Sequence, residues 1–148
     1  MTEHPPPGSV RHAVISTSPI TLDAHLALVD DPRMGAEATF VGRVRDHDPD
    51  AAGAVAALEY TAHPDAEKVL GEIAARAAER TGTIVAVSHR IGRLAVGEPA
   101  IVIAVASAHR AEAFDACRAI IEDVKRDLPV WKRQVETDGS TAWKGLGG

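Results

Sequence analysis

Ala100–Ala106 runs Ala-Ile-Val-Ile-Ala-Val-Ala, an apolar stretch rich in β-branched residues with no polar interruption. A strand facing water on one side would alternate, so this pattern predicts a strand buried on both faces. The run ends at Ser107 and leads into His109-Arg110, after which Ala111–Leu128 has helical spacing. With Phe114 at the origin of a helical wheel, Ile121, Leu128, Cys117, Val124 and Ile120 fall within an arc of roughly 120°. Lys125 lies about 20° beyond Phe114, on the margin of that arc. A lysine so placed either snorkels or sits half-buried with a lowered pKa. Pro129 stops the helix, and Trp131-Lys132 adds a second amine beside an aromatic side chain. Two lysines, a histidine and an arginine are thereby predicted to converge where strand, helix and following segment meet. Such a cluster suits anion chemistry.

The totals set the class. The chain has 148 residues, enough for one domain with a real core. Aromatic residues are scarce at 3%, so the 45% apolar share is mostly Ala, Val, Ile and Leu. No apolar run has the length of a membrane span, and no secretory signal is recognisable. A single cysteine, Cys117, excludes an internal disulfide and fits a reducing cytoplasm. The net charge of −5 argues against nucleic acid as the main partner. The cations are nevertheless uneven: Arg43, Arg45, Arg90, Arg93, Arg110, Lys125, Arg126, Lys132 and Arg133 fall near element ends. Local basic clusters on an acidic protein suit a small anionic ligand or an acidic partner segment.

In chain order, residues 1–11 with their proline run read as a disordered leader, residues 12–143 as one domain, and residues 144–148 as a flexible tail. His12–Thr17 is a weakly alternating strand, and Thr21 caps a short helix over Leu22–Val29. Ala36–Arg45 alternates as a strand with Arg43 and Arg45 on one face, and Gly42 permits a bulge or a close backbone approach. Asp46–Gly53 is a polar, mobile turn region. Val55–Thr61 is a strand, Pro64–Arg80 a helix closed by Gly82, and Thr83–Ile91 a strand. Turns surround Arg93–Val96. Val130–Val135 is a last strand before the turn Thr137-Asp138-Gly139-Ser140. The order β-α-β-β-α-β-β-α-β suggests an α+β or α/β sandwich, of which α+β is the expectation, with a mixed sheet and about three helices packed on it.

Each candidate has a plainer reading. Lys125 and Lys132 can be two surface lysines, and His109-Arg110 a solvated first turn, although free N–H groups at a helix start favour anions. Cys117 lies mid-arc and reads as a core thiol. The seven histidines form no metal-ligand spacing, and His47-Asp48-Pro49-Asp50 reads as a solvated turn. Phe40 and Trp131 read as packing residues, either of which can wall a pocket. The closing Gly147-Gly148 resembles a sulfur carrier's end, but the domain before it does not read as a small β-grasp fold.

Taken together, five segments carry a resemblance. Phe40-Val-Gly-Arg-Val-Arg45, Leu58-Glu-Tyr60, His89-Arg-Ile-Gly-Arg-Leu-Ala-Val-Gly-Glu98, His109-Arg-Ala-Glu-Ala-Phe114 and Lys125…Pro129-Val-Trp-Lys132 resemble, in order, the catalytic large subunit family of molybdopterin synthase. The resemblance covers roughly residues 12–143. It implies an α/β hammerhead-like fold and a cytoplasmic sulfurtransferase of molybdenum-cofactor biosynthesis. The implied substrate is cyclic pyranopterin monophosphate, and no cofactor or metal is implied. The implied sulfur donor is the C-terminal Gly-Gly thiocarboxylate of a small β-grasp carrier subunit, in a heterotetramer built on a homodimer of the large subunit. By position it makes Lys125 and Lys132 catalytic, and Arg43, Val44, Arg45, His109, Arg110, Lys132, Arg133 and Gln134 substrate-contacting, with Phe40 as a wall. Gln134 stands where relatives often carry an acidic residue. The alternative is a non-catalytic anion-binding or assembly module of the same shape.

Overall fold

A computed structural model describes residues 8–47, 55–137, 139 and 141–145, the last four of these in backbone only. The elements are β1 (Ser9–Ser16), α1 (Leu22–Val29), β2 (Ala36–Arg43), β3 (Val55–Ala62), α2 (Ala66–Thr81), β4 (Ile84–Arg90), β5 (Gly92–Ala95), β6 (Pro99–Ser107), α3 (Arg110–Asp127), β7 (Val130–Glu136) and β8 (Thr141–Gly145). They form two four-stranded sheets, ordered β1-β4-β6-β2 and β5-β3-β7-β8. The first is mixed, because β1 runs parallel to β4 while β4–β6 and β2–β6 are antiparallel. The second is antiparallel throughout. The expected α+β architecture with three helices is thus present, its strands divided between two sheets.

The apolar run explains this layering. Strand β6 is interior to the first sheet and buried from Ala100 to Ser107. Its Ile101, Ile103 and Val105 join Val85 and Val87 of β4 in the main core under α2 and α3. Its Ala104 and Ala106 turn the other way and meet Ile84, Ala86 and Val29 beneath α1. Alternation thus sends half of one strand's side chains to each layer. Leu58, Tyr60, Leu94 and Val130 carry the main core across to the second sheet.

Local signals act largely as expected. Thr21 Oγ1 accepts from the Ala24 N–H at 3.3 Å, and α1 spans Leu22–Val29. Gly82 closes α2 with φ +68, a conformation costly for a residue with a Cβ, and donates its N–H to the Ala78 carbonyl. Helix α2 starts at Ala66 rather than at Pro64, which precedes the Asp65 cap. Gly42 provides both features anticipated for it. The β2–β6 register shifts between Gly42 and Arg43, and a Cβ on Gly42 would stand 2.9 Å from Ile101 Cγ2.

Several expectations need correction. Phe114 is not the centre of the buried face of α3 but is 65% exposed. The buried face is Ala113, Ala116, Cys117, Ile120 and Val124, so the apolar arc turns toward the sheet and leaves Phe114 on its flank. Strand β1 begins at Ser9, inside the expected leader, and β8 takes in residues 144 and 145 of the expected tail. Short strands β5 and β8 lie where turns and a terminus were expected. Residues 1–7, the Asp48–Asp50 part of the candidate cation turn and the terminal glycine pair lie outside the described residues.

Candidate active site

Strand β2 ends its pairing with β6 at the bulge beside Gly42, where Ile101 and Phe40 pack too closely to admit a Cβ. A cleft of about 230 Å³ opens at this point. Its floor is buried: Leu58 and Tyr60 from β3, His89 from β4, Ile101 from β6, Val124 from α3 and Gln134 from β7. Its rim is cationic, formed by Arg43 and Arg45 after the bulge, Lys125 near the end of α3 and Lys132 on β7. Strand alternation explains the β7 contribution. Val130, Lys132 and Gln134 share one face, whereas Arg133 points away and pairs with Glu59.

Arg43 is oriented by the turn before β6, donating from its guanidinium to the Gly97 carbonyl at 2.9 Å. The Val44 N–H and carbonyl bond to Glu98 and Gly97, anchoring the segment between the two rim arginines. Other cations near element ends hold structure instead. Arg90 pairs with Glu98 at 2.6 Å, Arg93 with Glu59 at 3.4 Å and Arg126 with Asp123 at 2.7 Å.

The floor is kept neutral. His89 is 2% exposed, and its Nδ1 lies 2.8 Å from the Arg90 carbonyl, which can only accept, so Nδ1 carries the proton. Burial, with a smaller contribution from the Lys125 charge, holds this imidazole down at about 4, against the opposing effect of the Arg90 bond. Tyr60 packs edge-to-face on the ring at a centroid distance of 5.2 Å, and burial pushes its phenol up to about 12. Burial also raises the Cys117 thiol to about 11, leaving it protonated and unsuited to nucleophilic work.

A cationic rim over a neutral floor, built from β2, α3 and β7, invites comparison with known proteins. The sequence profile of the MoaE protein family matches residues 15–127. The chain belongs to this family. It is 39% identical to molybdopterin synthase catalytic subunit 1 of Mycobacterium tuberculosis over 140 residues, 93% of each chain. The crystal structure of molybdopterin synthase from Staphylococcus aureus superposes with a TM-score of 0.82 at 33% identity, covering 91% of this chain and 97% of that one. A Helicobacter pylori complex of subunits 1 and 2 of molybdopterin-converting factor shares the fold, with a TM-score of 0.63 at 20% identity, covering 75% and 72%.

Within this family member, the structure gathers Arg43, Arg45, Lys125, Lys132 and Gln134 around one cleft, with Phe40 on its wall. It does not bring His109 and Arg110 there. These begin α3, whereas Lys125 lies near its end, so 15 residues of helix, about 22 Å, separate Arg110 from Lys125. The expected convergence therefore does not form within one chain. Val44 also differs from expectation: its side chain is 3% exposed and lies in the core. Lys125 is exposed rather than half-buried. His89, Tyr60 and Leu58 were quoted in the sequence motifs without a site role. Their signal was weak, since a buried histidine on an apolar strand reads like any core residue.

A second, shallower groove adjoins the cleft. Thr39, Phe40, Phe114, Cys117, Arg118 and Ile121 line it, and Phe40 and Ile121 belong to both hollows. Phe114, Arg118, Ile121 and Lys125 recur at helical spacing along one flank of α3, so the groove and the Lys125 rim of the cleft lie on the same side of the helix. Among the described residues no helix is long and apolar enough to cross a membrane.

Proposed function

We propose that this chain is the catalytic subunit of a molybdopterin synthase, converting cyclic pyranopterin monophosphate to the dithiolene of molybdopterin in the cytoplasm. The observation that carries the reading is the pairing of Lys125 and Lys132 on one cleft beside Arg43 and Arg45, within the MoaE family. Four cations crowded together repel one another, and a bound phosphate relieves that repulsion through charge-assisted hydrogen bonds.

The sulfur donor is a small β-grasp carrier ending in a Gly-Gly thiocarboxylate. A tail without side chains suits the groove past Phe114 and Ile121, which delivers its terminal carbonyl to Lys125. The thiocarboxylate sulfur bonds to a substrate carbon, giving a thioester with the carrier, while that carbon's bond to oxygen breaks and the displaced oxygen takes up a proton. Water then cleaves the carbon–sulfur bond, releasing a carboxylate, and a second carrier repeats the transfer. Lys125 neutralises the oxyanion at the carrier carbonyl. Lys132 moves protons during ring opening and thiol addition. Gln134 contacts substrate from the floor.

His109 and Arg110 serve a cleft of the second copy in a homodimer, since the length of α3 keeps them from their own. Val44 and Arg133 contribute through backbone and through the Glu59 pair that steadies β7. With two carriers added, the assembly is a heterotetramer. The test is reconstitution of the purified chain with thiocarboxylated carrier and cyclic pyranopterin monophosphate. Dithiolene product is expected. Binding of both partners without product would favour a non-catalytic module.

A further inference from the structure

The cleft's polarity runs from a cationic, exposed rim to a buried floor, and His89 is the titratable imidazole on that floor. Its Nδ1–H is committed to the Arg90 carbonyl at 2.8 Å, which fixes the tautomer. Nε2 is then a lone-pair nitrogen. It has no hydrogen-bond partner among the described residues, yet it is not among their sealed, unsatisfied polar atoms, so it opens on the cleft that His89 lines. The Tyr60 ring braces the imidazole from the side. Lys125 stands close enough to oppose its protonation, and burial opposes it more strongly.

We infer that His89 Nε2 is a substrate-binding acceptor that takes a hydrogen bond from a ring N–H of the pterin and so sets which way the substrate enters. The inference rests on the function proposed above. A phosphate oxygen cannot occupy the same position, because two acceptors facing each other repel and the imidazole does not readily gain a proton to compensate. The phosphate is therefore confined to Arg43, Arg45 and the lysines at the rim, and the ring to the floor between Leu58 and Ile101. A substrate bound in reverse would leave Nε2 unpaired and its own N–H groups against cations.

Two isosteric replacements separate this role from a purely structural one. In His89→Gln an amide oxygen can occupy the Nε2 position while the bond to Arg90 is lost. In His89→Asn an amide N–H keeps the bond to Arg90 while the acceptor is lost. Both are assayed in the complex with thiocarboxylated carrier, alongside wild type, for KM and kcat with cyclic pyranopterin monophosphate and for inhibition by inorganic phosphate. His89→Asn is expected to raise KM roughly 5- to 100-fold, the range for one unmade hydrogen bond in a closed site, with phosphate inhibition unchanged. His89→Gln is expected to remain close to wild type in KM. The opposite order, or equal KM values for His89→Asn and wild type, would overturn the inference while an active wild type left the synthase reading standing. An inactive wild type would instead remove that reading. Wild-type protein with 15N-labelled histidine gives an arm free of any folding defect. The His89 Nε2 resonance is expected to move on saturation with the cyclic pterin but not with inorganic phosphate, and an unmoved resonance would overturn the inference.

Discussion

Lys132 stands directly opposite Tyr60 in the β3–β7 ladder, and both side chains face the cleft. One residue further on, Arg133 faces the other side of the sheet and pairs with Glu59, its cross-strand neighbour. A shift of register by one would exchange the two cations and bury the arginine against Tyr60 and His89. Which cation reaches the cleft is thus selected by strand pairing as much as by residue type.

The Gly42 bulge makes a direct prediction. A Cβ there would lie 2.9 Å from Ile101 Cγ2 and 3.3 Å from Phe40 Cε1, so Gly42→Ala must displace a wall of the cleft. The expected cost is about 1–3 kcal/mol in urea denaturation, the usual scale for overpacking, together with weaker substrate binding.

Acid should destabilise the fold in a defined window. His89 titrates at about 4 in the folded chain against 6.5 when free, and His12 is also lowered, first by burial and then by His25. A depressed histidine favours the folded state while neutral, so its contribution is complete above pH 6.5 and declines as pH falls toward 4. For His89 alone the loss is about 3 kcal/mol across that interval. Urea midpoints measured from pH 7 to pH 4 should fall, and the fall should be smaller in His89→Gln.

The groove predicts a separation of stability from association. Because Phe114 is 65% exposed, Phe114→Ser should alter chain stability by less than about 0.5 kcal/mol. Carrier affinity, measured by calorimetry, should drop. Unchanged affinity would exclude this route for the tail.

The geometry of α3 predicts complementation between copies. Lys125→Ala and Arg110→Ala are each expected to be inactive alone. If Arg110 acts on the second copy's cleft, a hybrid dimer holds one site with both residues intact. Random re-pairing should then restore about a quarter of wild-type turnover, since half the dimers are hybrids with one working site each. No recovery after verified subunit exchange would show that Arg110 does not act across the dimer.

Much of this was legible in the residues. The apolar run over Ala100–Ala106 marked the strand buried on both sides, and Thr21, Gly42 and Gly82 acted locally as their chemistry dictates. The rim cations Arg43, Arg45, Lys125 and Lys132 were legible as candidates because they fall near element ends. What failed was information carried by tertiary packing. Phe114 fits an apolar arc by spacing alone, and the angle at which α3 meets the sheet leaves it outside. His109 and Arg110 neighbour Lys125 in the sense of one helix, but a helix separates its ends as surely as it joins them. His89 was hidden for a related reason: its role depends on which ring nitrogen is tied down and on the cleft that β2, α3 and β7 enclose above it, neither visible in a linear pattern.

The proposed synthase chemistry requires Lys125 and Lys132 to act together on a substrate held at the cationic rim. Single-turnover formation of dithiolene, with saturating thiocarboxylated carrier and cyclic pyranopterin monophosphate, measures this directly. Lys125→Ala and Lys132→Ala are each expected to slow it by about 10²–10⁴-fold with unchanged thermal stability. Rates within a few-fold of wild type for both variants would contradict the account.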